Sequence, residues 1–419
     1  MSSEHGFRVP PFPFPVRLGL AAWRGVTQLG IAPPSLDEDD LVRSACRRTG
    51  LDDFGDESFR GPLGQLRDAL ENEAGLHLLG RAVMRSSIVR ALECRLRFEA
   101  LKGQHPEILE RPVEAPVFIT GMQRTGTTKL HRLLACAPGL RPLSAAEGLN
   151  PAPLGDLHET DRRAEQKRLA QARTAERGLR YMSPALFAIH PIEADAPEED
   201  VFLFDVTFMS PAVDASLDVP GYSRWMRSID QRPAYSEVYR LIQLLLWQQP
   251  GRYLGKTPHH QENLDALFDV FPDAKVIHTH RDPLKVVPSF ASMMAHAGAM
   301  LASEIDPSKV GRRVADQMFK SVEHAIEARA VLPEGAVLDV QYGDLVRDPV
   351  AEMRRIHDFL SIESDAASDA RMQQWIAENP QRKYGTHRYS LADFGLEEDE
   401  IRSRFKHYRE HFDVPEETR

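Results

Sequence analysis

Pro116-Val117-Phe118-Ile119-Thr120-Gly121-Met122-Gln123-Arg124-Thr125-Gly126-Thr127-Thr128 is the stretch from which the rest of this chain is read. Val117 to Thr120 is a short apolar run rich in β-formers, the pattern of a buried parallel strand. Gly121 and Gly126 permit a tight turn, and apolar residues at 130, 133 and 134 then recur at helical spacing. A strand, a glycine turn and a helix start together make an anion site, because successive amides point inward and the helix N-terminus adds partial positive charge. A triphosphate-binding loop places a lysine directly after its second glycine. Here Thr127 stands at that position and the cation of the loop, Arg124, precedes Gly126. The stretch therefore suits one phosphate held by amides, hydroxyls and a guanidinium, without the usual grip on a Mg²⁺-bound triphosphate.

Composition narrows the context. With 419 residues, 42% of them hydrophobic and 27% charged, the chain has the make-up of a globular protein large enough for an α/β domain with an extension. A net charge of −10 argues against general affinity for nucleic acid. Cys46, Cys94 and Cys136 are odd in number and far apart, so neither a disulfide framework nor a metal knuckle is indicated. No run approaches the roughly 20 apolar residues that span a bilayer. Pro10, Pro11, Pro13 and Pro15 interrupt the place where a signal peptide needs an apolar core, and a cytoplasmic address is the expectation.

Along the chain, residues 1–112 read as a helical arm and 113–419 as the α/β domain. Phe12 to Pro15 is expected to lie extended over another element, and Ser35-Leu36-Asp37-Glu38 has the form of a capping box, with Gly50 closing the helix it opens. The arm shows no chemistry; core packing or a homodimer contact is its expected use. Arg141 to Pro151 reads as a proline-rich turn, and 160–178 as a solvated helix or flap. Between Glu193 and Asp205 six carboxylates stand beside Phe202, Leu203 and Phe204; a solvated acidic face is the plain reading, and helix or strand is undecided. Strands are expected at 252–256, 275–281 and 336–342. Helices after Pro233, Thr257 and Pro283 make the β–α–β alternation of a parallel sheet. Arg281 ends one such strand and Ser289 lies eight residues on, about two helical turns, so that a guanidinium and a hydroxyl suit a phosphate monoester.

Gly-x-x-Arg-Thr-Gly-Thr-Thr resembles the 5′-phosphosulfate loop of sulfotransferases that use 3′-phosphoadenosine 5′-phosphosulfate (PAPS), most of all the bacterial group related to protein-tyrosine sulfotransferases. That resemblance implies that Gln123, Arg124, Thr125, Gly126, Thr127 and Thr128 hold the 5′-phosphosulfate and that Arg281 and Ser289 hold the 3′-phosphate. Lys256, before Thr257-Pro258-His259-His260, resembles the lysine that contacts the transferring group. Glu147 occupies the post-loop segment where the tyrosine-sulfotransferase group keeps its catalytic glutamate, and a raised pKa there would suit a general base; its neighbours depart from the family spelling, and His260 is the reserve. Tyr342, in Tyr-Gly-Asp-Leu, is similar to the residue beside the adenosine, and Arg382 and Lys383 to the segment that closes on the 3′-phosphate.

The expectation is thus an α/β, three-layer, P-loop-like fold with a parallel sheet of four or five strands and an N-terminal helical extension. The expected reaction moves the sulfuryl group of PAPS to a hydroxyl, secondarily an amine, of a small or lipid-like acceptor, with no metal. A nucleotide kinase or triphosphatase and a non-catalytic nucleotide-binding scaffold are the alternatives. The whole reading requires that the cradles around Arg124 and Arg281 face one cleft.

Overall fold

The computed structural model describes residues 7–28, 32–155, 162–380 and 389–417. Five parallel strands form one sheet in the order β2-β3-β1-β4-β5: β1 (Val117–Gly121), β2 (Leu140–Pro142), β3 (Arg252–Lys256), β4 (Lys275–His280) and β5 (Val337–Gln341). β1 is central and buried along its whole length, as its unbroken apolar run requires. Its register places Val117 opposite both Leu254 and Lys275, so that Lys256, Gly121 and His280 come out at the same edge of three adjacent strands. Ligands of open α/β sheets bind at such carboxyl ends.

Helices cover both faces. Thr127–Leu134, Pro349–Leu360 and Ala366–Glu378 enclose one apolar cluster against Ile119, Leu254 and Ile277. On the other side the helices Glu38–Thr49, Arg60–Asn72 and Leu78–Gln104 share a single core with Phe118, Tyr253 and Val276, through Leu41, Leu63, Leu70 and Leu92. The helical arm is therefore continuous with the packing beneath the sheet. Pro283–Ala299 and Pro307–Arg329 enclose a further cluster with Phe394, Phe405 and Tyr408.

Several local expectations change. The helix Glu38–Thr49 is capped by Asp37, whose side chain accepts from Asp40 N, while Ser35 accepts from Asp37 N; the cap lies two residues beyond the expected Ser35 and is a single contact in place of the expected capping box. Gly50 does close that helix, with φ 72°. The stretch read as a proline-rich turn holds β2 and the short helix Ala145–Leu149, because the edge of β3 offers β2 a partner and Ser144 supplies a true capping box with Glu147. Phe14, expected to be extended, starts a helix that runs to Gln28. The acidic stretch resolves into an irregular segment followed by the helix Val201–Val206.

Candidate active site

Gly121 and Gly126 shape the loop for separate reasons. Gly121 has φ 135°, and a Cβ there would lie 2.4 Å from the Thr279 carbonyl oxygen on β4. Gly126 has φ 90°, and its Cβ would stand 3.0 Å from the Tyr342 ring. Between them Arg124 is held at φ 71°, a left-handed conformation that costs a non-glycine residue about 1 kcal/mol or more. Strain of this kind needs neighbours that fix it. Arg124 Nε donates to Ser289 Oγ at 3.2 Å and Nη1 to the Ile189 carbonyl at 3.1 Å, while its own carbonyl accepts from Arg281 Nη1 at 3.0 Å. The two arginines and Ser289 therefore lie side by side, joined through Arg124.

Arg281 lies 3.8 Å over the Tyr342 ring, which in turn covers Gly126. Its remaining donors go to Glu417, with Nε to Oε1 at 2.7 Å and Nη2 to Oε2 at 3.1 Å, and the Glu417 amide donates to Asp282 at 2.9 Å. A carboxylate thus occupies the guanidinium fork that matches a phosphate. Thr125 differs from its expected use: its hydroxyl is buried between the Met122 carbonyl and Thr279 Oγ1, each at 2.6 Å, so only its backbone amide can serve an anion. Gln123 and Thr128 are half-buried on the loop, and Thr127 is buried at the helix start. Arg382 and Lys383 lie outside the described residues.

Lys256 is fully buried at the end of β3, and its Nζ donates to Glu199 Oε1 at 2.6 Å. Glu199 comes from the acidic stretch read as a solvated face. Its neighbour Asp200 explains its position. The Asp200 amide bonds the Lys256 carbonyl at 3.0 Å, and its carboxylate receives the Tyr253 hydroxyl at 2.6 Å and His260 Nε2 at 3.1 Å. Gly255 lacks the Cβ that would fall 2.2 Å from Asp200 Oδ2. With Asp200 anchored, Glu199 is delivered to Lys256.

Both bases expected from the sequence are engaged by protein groups. Glu147 has each carboxylate oxygen on the Arg141 guanidinium and one also on the Ser144 amide and hydroxyl, at 3.0 and 2.9 Å. Burial opposes its ionisation, yet the Arg141 and Ser144 contacts outweigh burial and hold its pKa below, not above, the ordinary carboxylate value. It closes a cap and a buried ion pair. His260 is fully buried, with Nδ1 accepting the Tyr235 hydroxyl at 2.9 Å and Nε2–H directed to Asp200; burial above all lowers its pKa, and no ring nitrogen faces the cleft. His131 is likewise packed, its pKa pushed down to about 3, first by burial and then by Lys256.

Glu198, next in the acidic stretch, is buried, but contact with His190 and the charges of Lys256 and Arg132 overcome burial and push its pKa down from 4.5 to about 2. A carboxylate whose folded pKa is depressed stabilises the fold above its unfolded value and loses that contribution as pH falls through the folded one. The urea midpoint is therefore expected to fall between about pH 4.5 and pH 2, and Glu198→Gln to show a smaller fall over that window. An identical pH profile in the variant would remove Glu198 from the acid limb.

A glycine loop at the end of a central parallel strand, flanked by a second arginine after one neighbouring strand and a buried lysine at the end of the other, is an arrangement that suits a group-transfer enzyme. Residues 116–366 match the model of the sulfotransferase family, and the chain belongs to that family. The crystal structure of sulfotransferase STF9 from Mycobacterium avium is similar with a TM-score of 0.83 at 29% identity, over 93% of this chain and 100% of that one. STF1 from Mycobacterium tuberculosis H37Rv gives 0.76 at 30% identity, over 88% and 98%. The omega-hydroxy-beta-dihydromenaquinone-9 sulfotransferase Stf3 of Mycobacterium bovis is 24% identical over 301 residues, which is 67% of this chain and 70% of that protein. No helix among the described residues is long and apolar enough to cross a membrane.

Proposed function

We propose that this protein transfers the sulfuryl group of PAPS to a hydroxyl of a lipid-like acceptor. The observation that supports the reading is that Arg124, Arg281 and Ser289 lie side by side, with Lys256 leaving the neighbouring strand at the same edge. When bound, PAPS supplies a sulfuryl group on a good leaving group. The loop amides and Arg124 would hold its 5′ end, Arg281 and Ser289 its 3′-phosphate, and Tyr342 an edge of the adenosine. Glu199 takes the proton of the acceptor hydroxyl as that oxygen forms its bond to sulfur. The bond from sulfur to the bridging oxygen breaks, and Lys256 offsets the negative charge left on that oxygen. The products are a sulfate ester and adenosine 3′,5′-bisphosphate, and the proton rests on Glu199. The lipid-like class of acceptor is supported by the hydroxylated menaquinone derivative named for Stf3.

Incubation with PAPS and hydroxylated long-chain alcohols should release adenosine 3′,5′-bisphosphate together with a sulfated product. Bisphosphate binding without release in any such mixture would favour the scaffold reading, and Mg²⁺-dependent ATP turnover the kinase reading. The Glu417 contact adds a prediction. Because that carboxylate holds the guanidinium assigned to the 3′-phosphate, donor binding has to displace it. Glu417→Ala is expected to tighten adenosine 3′,5′-bisphosphate binding by roughly 3- to 10-fold in calorimetry, and Arg281→Ala to weaken it by roughly 10- to 100-fold. Unchanged affinity in both would place the 3′-phosphate elsewhere.

A further inference from the structure

Residues 7–13 and the helix Phe14–Gln28 line one side of a groove of about 740 Å³. Phe12, Leu20 and Trp23 come from this segment; Met182, His296 and Met300 come from the body of the protein. Two elements connect the groove with the donor cradle. Ser289 and His296 are seven residues apart on Pro283–Ala299, hence on one helical face about 10 Å apart, and Met300 caps the same helix. The short helix Pro184–Ile189 begins beside Met182 and Ser183 in the groove, and its last carbonyl accepts from Arg124.

The side chains in and around the groove indicate its occupant. Of its two histidines, His77 accepts the Gly80 amide at Nδ1 and its ring meets Phe12 edge-on, while His296 Nδ1 bonds the Ser292 carbonyl and its ring meets Phe7. Polar and apolar groups share the lining, Arg8 and Ser183 among the former and Phe12, Leu20, Trp23 and Met300 among the latter, so the apolar wall is the one formed by the N-terminal segment and the end of Pro283–Ala299. Outside it, Phe14 and Leu18 stand 67% and 60% exposed one turn apart on the covering helix, and Tyr181, beside Met182, is 54% exposed. The covering helix is apolar on both faces, with Leu20 and Trp23 inward and Phe14 and Leu18 outward. A helix of that kind beside an exposed Arg17, which lies 5.9 Å over the Phe14 ring, fits an anionic lipid surface better than water.

We propose that this groove receives the apolar chain of the acceptor, drawn from a lipid surface on which the outward face of Phe14–Gln28 rests. The inference rests on the sulfuryl-transfer reading only for what happens at the head of that chain. The test uses the full chain and a pyrene-labelled long-chain primary alcohol carried in phosphatidylcholine vesicles containing phosphatidylglycerol. The wild-type protein should bind the probe with energy transfer from Trp23, a signal that Trp23→Phe removes. Leu20→Arg and Met300→Arg should each weaken binding by roughly tenfold or more, with adenosine 3′,5′-bisphosphate affinity unchanged as the control for folding. The Phe14→Ser/Leu18→Ser double variant should no longer sediment with the vesicles while still binding the bisphosphate. Equal probe binding by the wild type and both arginine variants, no binding at all, or vesicle binding indifferent to the double variant would each overturn the proposal. Probe binding lost in the arginine variants of a protein that never binds the bisphosphate would instead leave the groove assigned and remove the donor reading.

Discussion

Lys256→Ala is expected to lower kcat by roughly 10²- to 10³-fold while the affinity for adenosine 3′,5′-bisphosphate stays within about a factor of two. The reason is positional. Lys256 leaves β3 next to the loop strand, and its ammonium is buried, paired with Glu199 at 2.6 Å. A cation fixed there and shielded from water would act on charge that develops during transfer, whereas the bisphosphate product is assigned to Arg124, Arg281 and Ser289. Removing one partner of a buried pair also leaves the other unpaired, so the variant's thermal midpoint must be followed beside its rate; Lys256→Met, of similar shape, keeps the packing. Arginine is expected not to rescue turnover, because its planar fork is wider than the buried ammonium it replaces. Equal losses of turnover and bisphosphate affinity would make Lys256 a donor-binding residue instead.

Glu199→Gln should lower turnover by roughly 10²- to 10⁴-fold, the range of a lost general base, with bisphosphate affinity retained. The amide keeps the shape and can still accept from Lys256, so a structural role for Glu199 predicts a small effect. Glu147→Gln provides the contrast. It breaks the paired contact with Arg141 and part of the Ser144 cap, so stability should fall while turnover per folded molecule stays near normal. The reverse outcome, an active Glu199→Gln and an inactive but folded Glu147→Gln, would return the base to the post-loop position that family resemblance suggested.

The contrast between these two glutamates shows where sequence reading reaches its limit. Glu147 stands a short way beyond the loop, in a segment a motif can mark, but its carboxylate has a nearer partner in Arg141, six residues before it. Nothing in the local pattern says that a guanidinium on β2 will claim it. Glu199 sits in a run of acids and aromatics, and such runs are ordinarily solvated faces. Its assignment depends on Asp200 bonding the end of β3 and on Gly255 leaving the space for it. His260 follows the same logic: a histidine at a strand end looks available in sequence, but Tyr235 and Asp200 engage both its nitrogens.

The sequence alone determined the parallel α/β architecture, the glycine loop after β1 and the turn from β4 into the helix that carries Ser289. Each is a strand–turn–helix unit whose geometry is set within about a dozen consecutive residues, so spacing and residue type are sufficient. Only the tertiary structure decided that Lys256 meets Glu199 across 57 residues of chain, that Glu417 closes on Arg281 from 136 residues away, and that Thr125 turns its hydroxyl inward. Those contacts depend on which side chains compete for each buried donor and acceptor once the helices have packed, and that competition leaves no periodic trace in the chain.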